Sequence, residues 1–401
     1  MLIFGMKVGS LFNEKLKKGL LGRTESLKII QKAFTKSDKI IWMHAASLGE
    51  YEQGVPVLEK LKQKLTDHKI LITFFSPSGY ENVINKKNIA DAICYLPFDL
   101  KDSVEEFTSQ FQTEIFFMVK YDYWYNLLSD LKKNGAKIYV ISALFYEKQV
   151  FFKSYGSFFR TQLKENVNWF FHQTKESFDL AKSINFKRSS ISGDTRFDRV
   201  KQFQTRDNFV EFIDEFKQDK SLIIFGSSWD AEEKIAEMLA KNAKNLKIIL
   251  VPHDLKRVAS ILNKFPEAIL YSEFLKTQKL DHSKTQILII DSIGILSKLY
   301  SYANLAVIGG GFHSAGLHNI LEASTFGVPT FFGNKYRKNP EADALILENG
   351  ARSFDNEKDT TDFILKIIND DTKLQEISMN AKNFIDDQPN ASEIILRKIL
   401  L

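Results

Sequence analysis

The chain has 401 residues, with 55 Lys+Arg against 50 Asp+Glu, 44% hydrophobic and 13% aromatic residues and a single cysteine. That length suits two domains, each with its own core, and excludes a small stapled scaffold. The lone Cys94 excludes an intramolecular disulfide and any multi-cysteine metal or iron–sulfur site, so a reducing cytoplasm is the expected compartment. The net charge of +5 is not spread evenly: residues 1–39 carry nine Lys/Arg and three Asp/Glu, a net of +6, which leaves 46 against 47, or −1, for the remainder. A nucleic-acid-binding face needs basic residues clustered on the folded body, so no nucleic-acid partner is expected.

The opening stretch MLIFGMKVGSLFNEKLKKGLLGR holds no apolar run near the about 17–25 residues of a spanning helix. Phe4, Val8, Phe12, Leu16 and Leu20 recur every four residues, joined by Leu11, while Lys7, Asn13, Lys17 and Lys18 fall largely elsewhere. This is the pattern of an amphipathic helix with a basic polar side. Such a segment can lie in an anionic membrane interface, each basic group adding about 1 kcal/mol near the surface. The alternative is a surface helix covering the body. A secretory signal is not supported, because the apolar stretch is short, Lys-interrupted and lacks a small-residue cleavage site.

After this arm, short apolar runs alternate with helical patterns. Strands are predicted at 39–44, 69–75, 114–119, 137–141 and 169–172, then at 221–225, 247–251, 286–290, 305–308 and 330–332. Each is followed by a small or polar loop and an amphipathic stretch, the rhythm of βα units on a parallel sheet. The polar GDTRFDRV segment, 193–200, and the charged residues after it place an interdomain linker near 195–210. The expected fold is α/β, with two doubly wound Rossmann-like domains facing a central cleft and ligand loops at the carboxyl ends of the strands. The expected domains are a membrane-associating arm over 1–38, an acceptor domain over 39–200, a donor domain over 201–385, and a C-terminal helix over 386–401 able to cross back to the N-domain. No short-period repeat is visible, which disfavours a solenoid.

Several of the loops could carry chemistry. In WMHAASLGEYEQG, 42–54, Ser47 and Glu50 have the spacing of a capping box. The functional alternative is Glu50 as a general base, which needs reach to an acceptor hydroxyl. FFSPSGYEN, 74–82, offers Ser76, Ser78 and Gly79 before a helix; GSSWDAEE, 226–233, offers Ser227 and Ser228; VPHD, 251–254, places His253 after a strand. Taken singly, each is better explained as a helix cap than as a ligand site. In AVIGGGFHSAGLHNILEASTFGVP, 306–329, a strand ends in Gly309, Gly310 and Gly311, and a helix is predicted to begin near His318 with Asn319, Leu321 and Glu322 in its first turns. Glycines let a phosphate approach the backbone, the helix start offers N–H groups, and Glu322 could accept from ribose hydroxyls. The other reading is a tight βα turn with an acidic residue at the helix start. The spacing is not GxGxxG, so a nicotinamide cofactor is not favoured. Asp-x-Asp, a Walker loop, HExxH and G-x-S-x-G are absent and the seven histidines show no metal-ligand spacing, so no metal is expected.

In order, WMHAASLGE (42–50), SPSG (76–79), YLPFD (95–99), GDTRFD (193–198), GSSW (226–229), VPH (251–253) and GGG…GLHNILEA (309–323) resemble the 3-deoxy-D-manno-octulosonic acid (Kdo) transferases. The resemblance covers nearly all of 39–395, and KYDYWYNLL (120–128) and YEKQVFFKSYG (146–156) look closest to a Bacteroidetes-like branch. It implies a GT-B fold and an inverting transfer of Kdo from CMP-Kdo to the lipid A precursor (lipid IVA) in lipopolysaccharide core biosynthesis. No cofactor or metal is implied. By that resemblance Glu50 corresponds to the catalytic base. Gly310, Gly311, Asn319 and Glu322 fall in the donor-nucleotide motif, Ser228 and His253 in flanking donor loops, and Ser47, Gly49, Ser76, Ser78 and Gly79 in acceptor-side loops.

The implied location is the cytoplasmic face of the inner membrane, peripheral or monotopic, with residues 1–39 against the anionic surface. Two departures weaken the carry-over at their positions: many relatives have an acidic residue where Lys120 stands and an Arg where Leu144 aligns. Relatives also usually begin with a longer hydrophobic segment, so the arm is a shortened anchor or the start codon is placed late. The alternatives are a hydrolysing sugar-nucleotide epimerase on the GT-B fold and a non-catalytic nucleotide-sugar-binding protein.

Overall fold

The strand Lys39–Ala45 reads KIIWMHA, apolar on consecutive positions instead of alternating. That is what a parallel strand buried on both faces requires. A computed structural model describes residues 13–276, 285–314, 316–337 and 339–401. The first compact unit runs up to Arg199 and includes Pro389–Leu401; the second is Val200–Gln388.

The first unit is built on seven strands: β1 (Lys39–Ala45), β2 (Lys69–Phe74), β3 (Ala92–Tyr95), β4 (Gln112–Val119), β5 (Lys137–Ala143), β6 (Trp169–His172) and β7 (Ser189–Ile191). All pair in parallel, in the order β3-β2-β1-β4-β5-β6-β7. Successive β1 residues go to opposite faces: Ile40 and Trp42 pack with Leu71, Phe116 and Ile138, whereas Ile41 and Met43 pack with Ile70, Phe117 and Ile141.

The second unit repeats the plan with β8 (Leu222–Ser228), β9 (Lys247–Pro252), β10 (Ile269–Leu270), β11 (Ile287–Ile289), β12 (Leu305–Ile308), β13 (Thr330–Gly333) and β14 (Ala351–Phe354), again all parallel, in the order β10-β11-β9-β8-β12-β13-β14. The strand order reverses between β1 and β4 and between β8 and β12, the two points at which a doubly wound sheet places its ligand loops. The ten predicted strands are present. Four more, β3, β7, β10 and β14, are only two to four residues long, too short for a periodic signal.

The boundary between the units falls between Arg199 and Val200, inside the stretch where the linker was expected, and there the chain is the helix Thr195–Thr205, followed by irregular chain over 206–210. The helix's charged Asp198 is drawn into the fold by hydrogen bonding. The carboxylate accepts from the N–H of Ala391 at 3.2 Å, the N–H of Ser392 at 2.9 Å and the Ser392 hydroxyl at 2.6 Å. It thereby satisfies the first N–H groups of the terminal helix Ala391–Leu400. Ile395, Leu396 and Ile399 of that helix bury against Val57, Leu58 and Leu61.

Residues 1–12, with Phe4, Lys7, Val8, Leu11 and Phe12, lie outside the described residues. From Asn13 the arm belongs to the first unit. The Asn13 side chain accepts from the N–H groups of Lys15 and Leu16 and starts the helix Glu14–Ala33. Its docking face is not the Leu16/Leu20 stripe but Gly19, Gly22, Arg23, Ser26 and Ile30. A Cβ on Gly22 would lie 2.2 Å from the Tyr95 ring, so only glycine admits this approach. The Arg23 guanidinium donates to the carbonyls of Gly19 (2.8 Å), Phe75 (2.7 Å) and Leu96 (3.0 Å) and lies over the Phe75 and Phe98 rings. Burial pushes it down to about 10. Leu21 is left 60% exposed.

Replacing Asp198 by alanine strands two buried N–H groups, while the Ser392 hydroxyl keeps Asn390 Oδ1 at 3.1 Å. The expected cost is about 2–3 kcal/mol. Urea denaturation should show the loss, and hydrogen exchange should accelerate across residues 391–400 more than in β1; equal exchange in variant and parent would refute the capping role.

Candidate active site

In the first unit the switch point is lined by the loops after β1 and β4. Ser47 is the N-cap of the helix Leu48–Lys64, and Glu50 is that helix's third residue. The expected capping box is absent: the Ser47 side chain makes no cap hydrogen bond, and Glu50 Oε2 takes the N–H of Ala46 at 2.5 Å. The carboxylate folds back toward the strand end because Ala46 presents the nearer N–H. Among the described residues Oε1 receives no donor, so one oxygen of a largely buried carboxylate stays open for chemistry. Burial raises the Glu50 pKa, countered by the Ala46 N–H; Asp122 raises it further, and Lys120 and His44 lower it.

Asp122 was not anticipated from the sequence. It follows β4 as Glu50 follows β1, and that topological position is the signal that could have found it. It ends a buried relay. Trp42 Nε1 donates to Thr73 Oγ1 at 2.8 Å, Thr73 Oγ1 meets His44 Nδ1 at 3.0 Å, and His44 Nε2 meets Asp122 Oδ2 at 2.8 Å. Since the Asp122 carboxylate can only accept, Nε2 of a neutral His44 carries the ring proton and Nδ1 accepts from the Thr73 hydroxyl; this tautomer is assigned from the network. Trp124 Nε1 also donates to Asp122, at 2.9 Å. Lys120, beside Glu50, has φ 66°, the left-handed region unusual for a long side chain. Leu144, half-buried just past β5, accepts from the Gln149 amide through its backbone oxygen.

The remaining acceptor-side residues sit close by. Ser76 donates its N–H to the Ala46 carbonyl at 3.0 Å, tying the two loops together. Ser76 and Ser78 hydrogen-bond to each other at 2.7 Å, and Ser76 does not cap the helix Pro77–Val83, so the cap expectation fails here too. Gly79 is set by packing against the Phe74 ring, whereas a side chain at Gly49 would meet open space.

In the second unit the loops after β8, β9 and β12 gather. Ser228 ends β8 fully buried, and its hydroxyl has no partner among the described residues. His253 is exposed, donates its N–H to the Ser228 carbonyl at 3.1 Å, and stacks on Trp229 at 4.5 Å and 21°. His313 meets Trp229 edge-on at 4.5 Å, and His318 lies 4.7 Å from His253. Burial pushes His318 down to about 4, with the other two imidazoles adding to the shift; His313 is also lowered, mainly by burial. This indole–imidazole cluster went unseen because Trp229, His313 and His318 are spread over 90 residues.

The glycine motif differs from expectation. Gly310 has φ +91°, and its N–H goes to Glu232 at 3.2 Å; Gly309 donates to the Gly226 carbonyl and His318 to that of Gly309. Gly311 packs on the Gly333 backbone. The helix predicted from His318 starts later and is one turn, Leu321–Ser324. Asn319 takes the Leu321 N–H and donates to Glu322 at 3.1 Å, so these two donor candidates bond each other. The structure thus brings Ser228, His253 and Gly310 to one strand-end cluster and pairs Asn319 with Glu322.

Comparison with known proteins finds one family model and several relatives with the same description. A family model described as 3-deoxy-D-manno-octulosonic-acid transferase (kdotransferase) matches residues 21–199. The 3-deoxy-D-manno-octulosonic acid transferase of Aquifex aeolicus is 27% identical over 315 residues, 78% of this chain and 80% of that protein. Over most of its length the chain is similar to Kdo transferases. A bifunctional glycosyltransferase/methyltransferase of Fusobacterium nucleatum is 24% identical over 316 residues, and the chain spans about half its length, 48%. Among solved structures, UDP-GlcNAc 2-epimerase from Neisseria meningitidis bound to UDP-GlcNAc aligns with TM-score 0.62 over 90% of this chain and 99% of that one, at 15% identity. That likeness shows the GT-B fold alone. The match over 21–199 takes in SLGE with Glu50 and the YDYW stretch with Asp122.

The charges around Glu50 can be checked one by one. Lys120→Met removes a lowering charge and should move the Glu50 carboxyl higher still, while Asp122→Asn should bring it down. NMR titration of protein labelled at glutamate side-chain carbons resolves the direction; no movement in either variant would show that neither group faces Glu50.

Proposed function

We propose that the protein is an inverting Kdo transferase that moves Kdo from CMP-Kdo to the lipid A precursor, lipid IVA. The observation that carries this reading is Glu50: a buried carboxylate at a sheet switch point, anchored through one oxygen, inside the family's SLGE motif. Its free oxygen removes the proton of the acceptor's primary hydroxyl as that oxygen bonds to the Kdo anomeric carbon. The bond from that carbon to the CMP phosphate oxygen breaks, and CMP leaves with the electron pair from the opposite face. The transition state has oxocarbenium character, and a base poised by burial suits the proton transfer.

Charge on the leaving phosphate is met mainly by side chains. The Gly310 N–H is already bonded, and the one-turn helix has no macrodipole of consequence. His253, His313 and His318 offer ring N–H groups, and Lys335, close enough to lower the His313 pKa, supplies a cation. The scheme uses no metal and no cofactor.

The acceptor is a lipid, so the enzyme works at a membrane surface, in this reading the cytoplasmic face of the inner membrane. Among the described residues no helix is long and apolar enough to cross a membrane. Lys15, Lys17 and the exposed Leu21 instead suit peripheral docking, with Lys18 shared with Glu81 at 2.7 Å.

Mass spectrometry of lipid IVA incubated with CMP-Kdo and the enzyme should show addition of Kdo, and Glu50→Ala should slow it by about 10²–10⁴-fold. Near-parental turnover in the folded variant removes Glu50 from the mechanism, and an altered nucleotide sugar with unmodified lipid would mean epimerase chemistry. Changing Lys15, Lys17 and Lys18 to Gln should weaken binding to anionic vesicles by roughly 100-fold, at about 1 kcal/mol per charge. Unchanged, salt-insensitive partitioning would rule the arm out as the docking element.

A further inference from the structure

A second buried carboxylate stands between two of the loops assigned to the donor. Glu232, third residue of the helix Asp230–Asn242, has 0% exposure. Its Oε2 accepts from the Trp229 N–H at 2.9 Å and its Oε1 from the Gly310 N–H at 3.2 Å. Trp229 follows β8 and Gly310 follows β12, the neighbouring strands between which the order reverses. One side chain therefore joins the loops on both sides of the switch point. What it joins is itself connected: Trp229 stacks on His253 and meets His313, and the space beside the Gly310 Cα is bounded by the His318 ring.

We infer that Glu232 is the positioning residue of the donor site: it holds Trp229 and Gly310 at a fixed separation and so shapes the indole–imidazole wall that receives a pyrimidine nucleoside monophosphate. This rests on the proposed donor role of the second unit.

The choice of residue follows from counting. Two N–H donors need two acceptors, which a carboxylate supplies and an amide does not, since its NH₂ would face one of the N–H groups. Burial pushes the Glu232 carboxyl up to about 7, against the pull of its two N–H partners. A group this costly to bury is explained by its two bonds, and its position near an anionic ligand is explained if it braces the loops without touching the ligand. Glu233, beside it, turns instead to Arg257 at 2.7 Å.

The test uses Glu232→Gln and Glu232→Asp in the full chain, with CMP as the probe. Calorimetric titration of the parent comes first: no CMP binding would overturn the donor-site reading itself. In Glu232→Gln the CMP Kd and the KM for CMP-Kdo should rise about tenfold, the loss of one hydrogen bond to a charged group. The kcat should fall by a comparable factor, because the same wall aims ring N–H groups at the leaving phosphate, while the acceptor KM should stay within about twofold. Glu232→Asp, with both acceptors on a shorter stem, should fall between. A stability loss with CMP affinity unchanged would make Glu232 merely structural and overturn the inference. Should neither variant fold, amide exchange in the parent decides: the Gly310 N–H should be as protected as the β8 ladder, and fast exchange there would show that the bridge does not exist.

Discussion

Both halves of the chain depend on the same local device, a carboxylate at the third position of the helix that follows the first strand of each sheet. Glu50 holds it after β1 and Glu232 after β8. At that position a side chain can turn back over the strand end and take an N–H that the parallel ladder leaves unpaired. Both do so, Glu50 toward Ala46 and Glu232 toward Trp229. The difference between the halves lies in the second oxygen. Glu232 spends it on Gly310 and becomes part of the scaffold, whereas Glu50 keeps it unbonded among the described residues. One geometry thus yields a carboxylate bonded through both oxygens and one bonded through a single oxygen, and the neighbouring loop decides which.

The surroundings of Glu50 pull on its carboxyl in opposite directions. Burial raises its pKa and Asp122 raises it further, while the Ala46 N–H, Lys120 and His44 oppose the rise. Asp122 is itself fixed by donors from His44 and Trp124, so its charge stands at a defined place. The left-handed backbone at Lys120 fits this arrangement, since it turns the chain sharply as β4 ends.

Much of the architecture was legible in the sequence because buried parallel strands announce themselves as apolar runs: 305–308 and 169–172 were read to the residue. The missing strands were two to four residues long, below any periodic signal. Motif spacing located the loops of the candidate site but not what the side chains do in them. Ser47 and Glu50 fit a capping box on paper, yet the carboxylate found a different N–H. Glu232 was hidden in an acidic run, DAEE, that reads as an ordinary helix start. The docking face of the first helix escaped in its N-terminal half, where contact is made by glycines and a half-buried arginine ahead of the apolar Leu27, Ile30 and Ala33.

The glycine motif shows most directly how backbone accounting changes a chemical argument. Three consecutive glycines after a strand suggest a cradle of N–H groups for phosphate. Here Gly309 and Gly310 donate to the chain itself, and Gly311 is pressed against Gly333. Small residues are needed at this place so that β8, β12 and β13 can bring their ends together, not to admit a ligand to the amides. In the proposed reaction the negative charge of the leaving CMP then falls to ring N–H groups and Lys335. An imidazole such as His318, whose pKa is pushed down to about 4, is neutral near pH 7 and in that reaction would act by donating a hydrogen bond instead of by charge. Stabilisation of that kind depends on aim, and aim depends on the separation of the loops that carry Trp229 and Gly310. The rigidity of the strand ends is therefore part of the chemistry of this site, because a neutral donor displaced from its acceptor loses its effect far faster with distance than a full charge would.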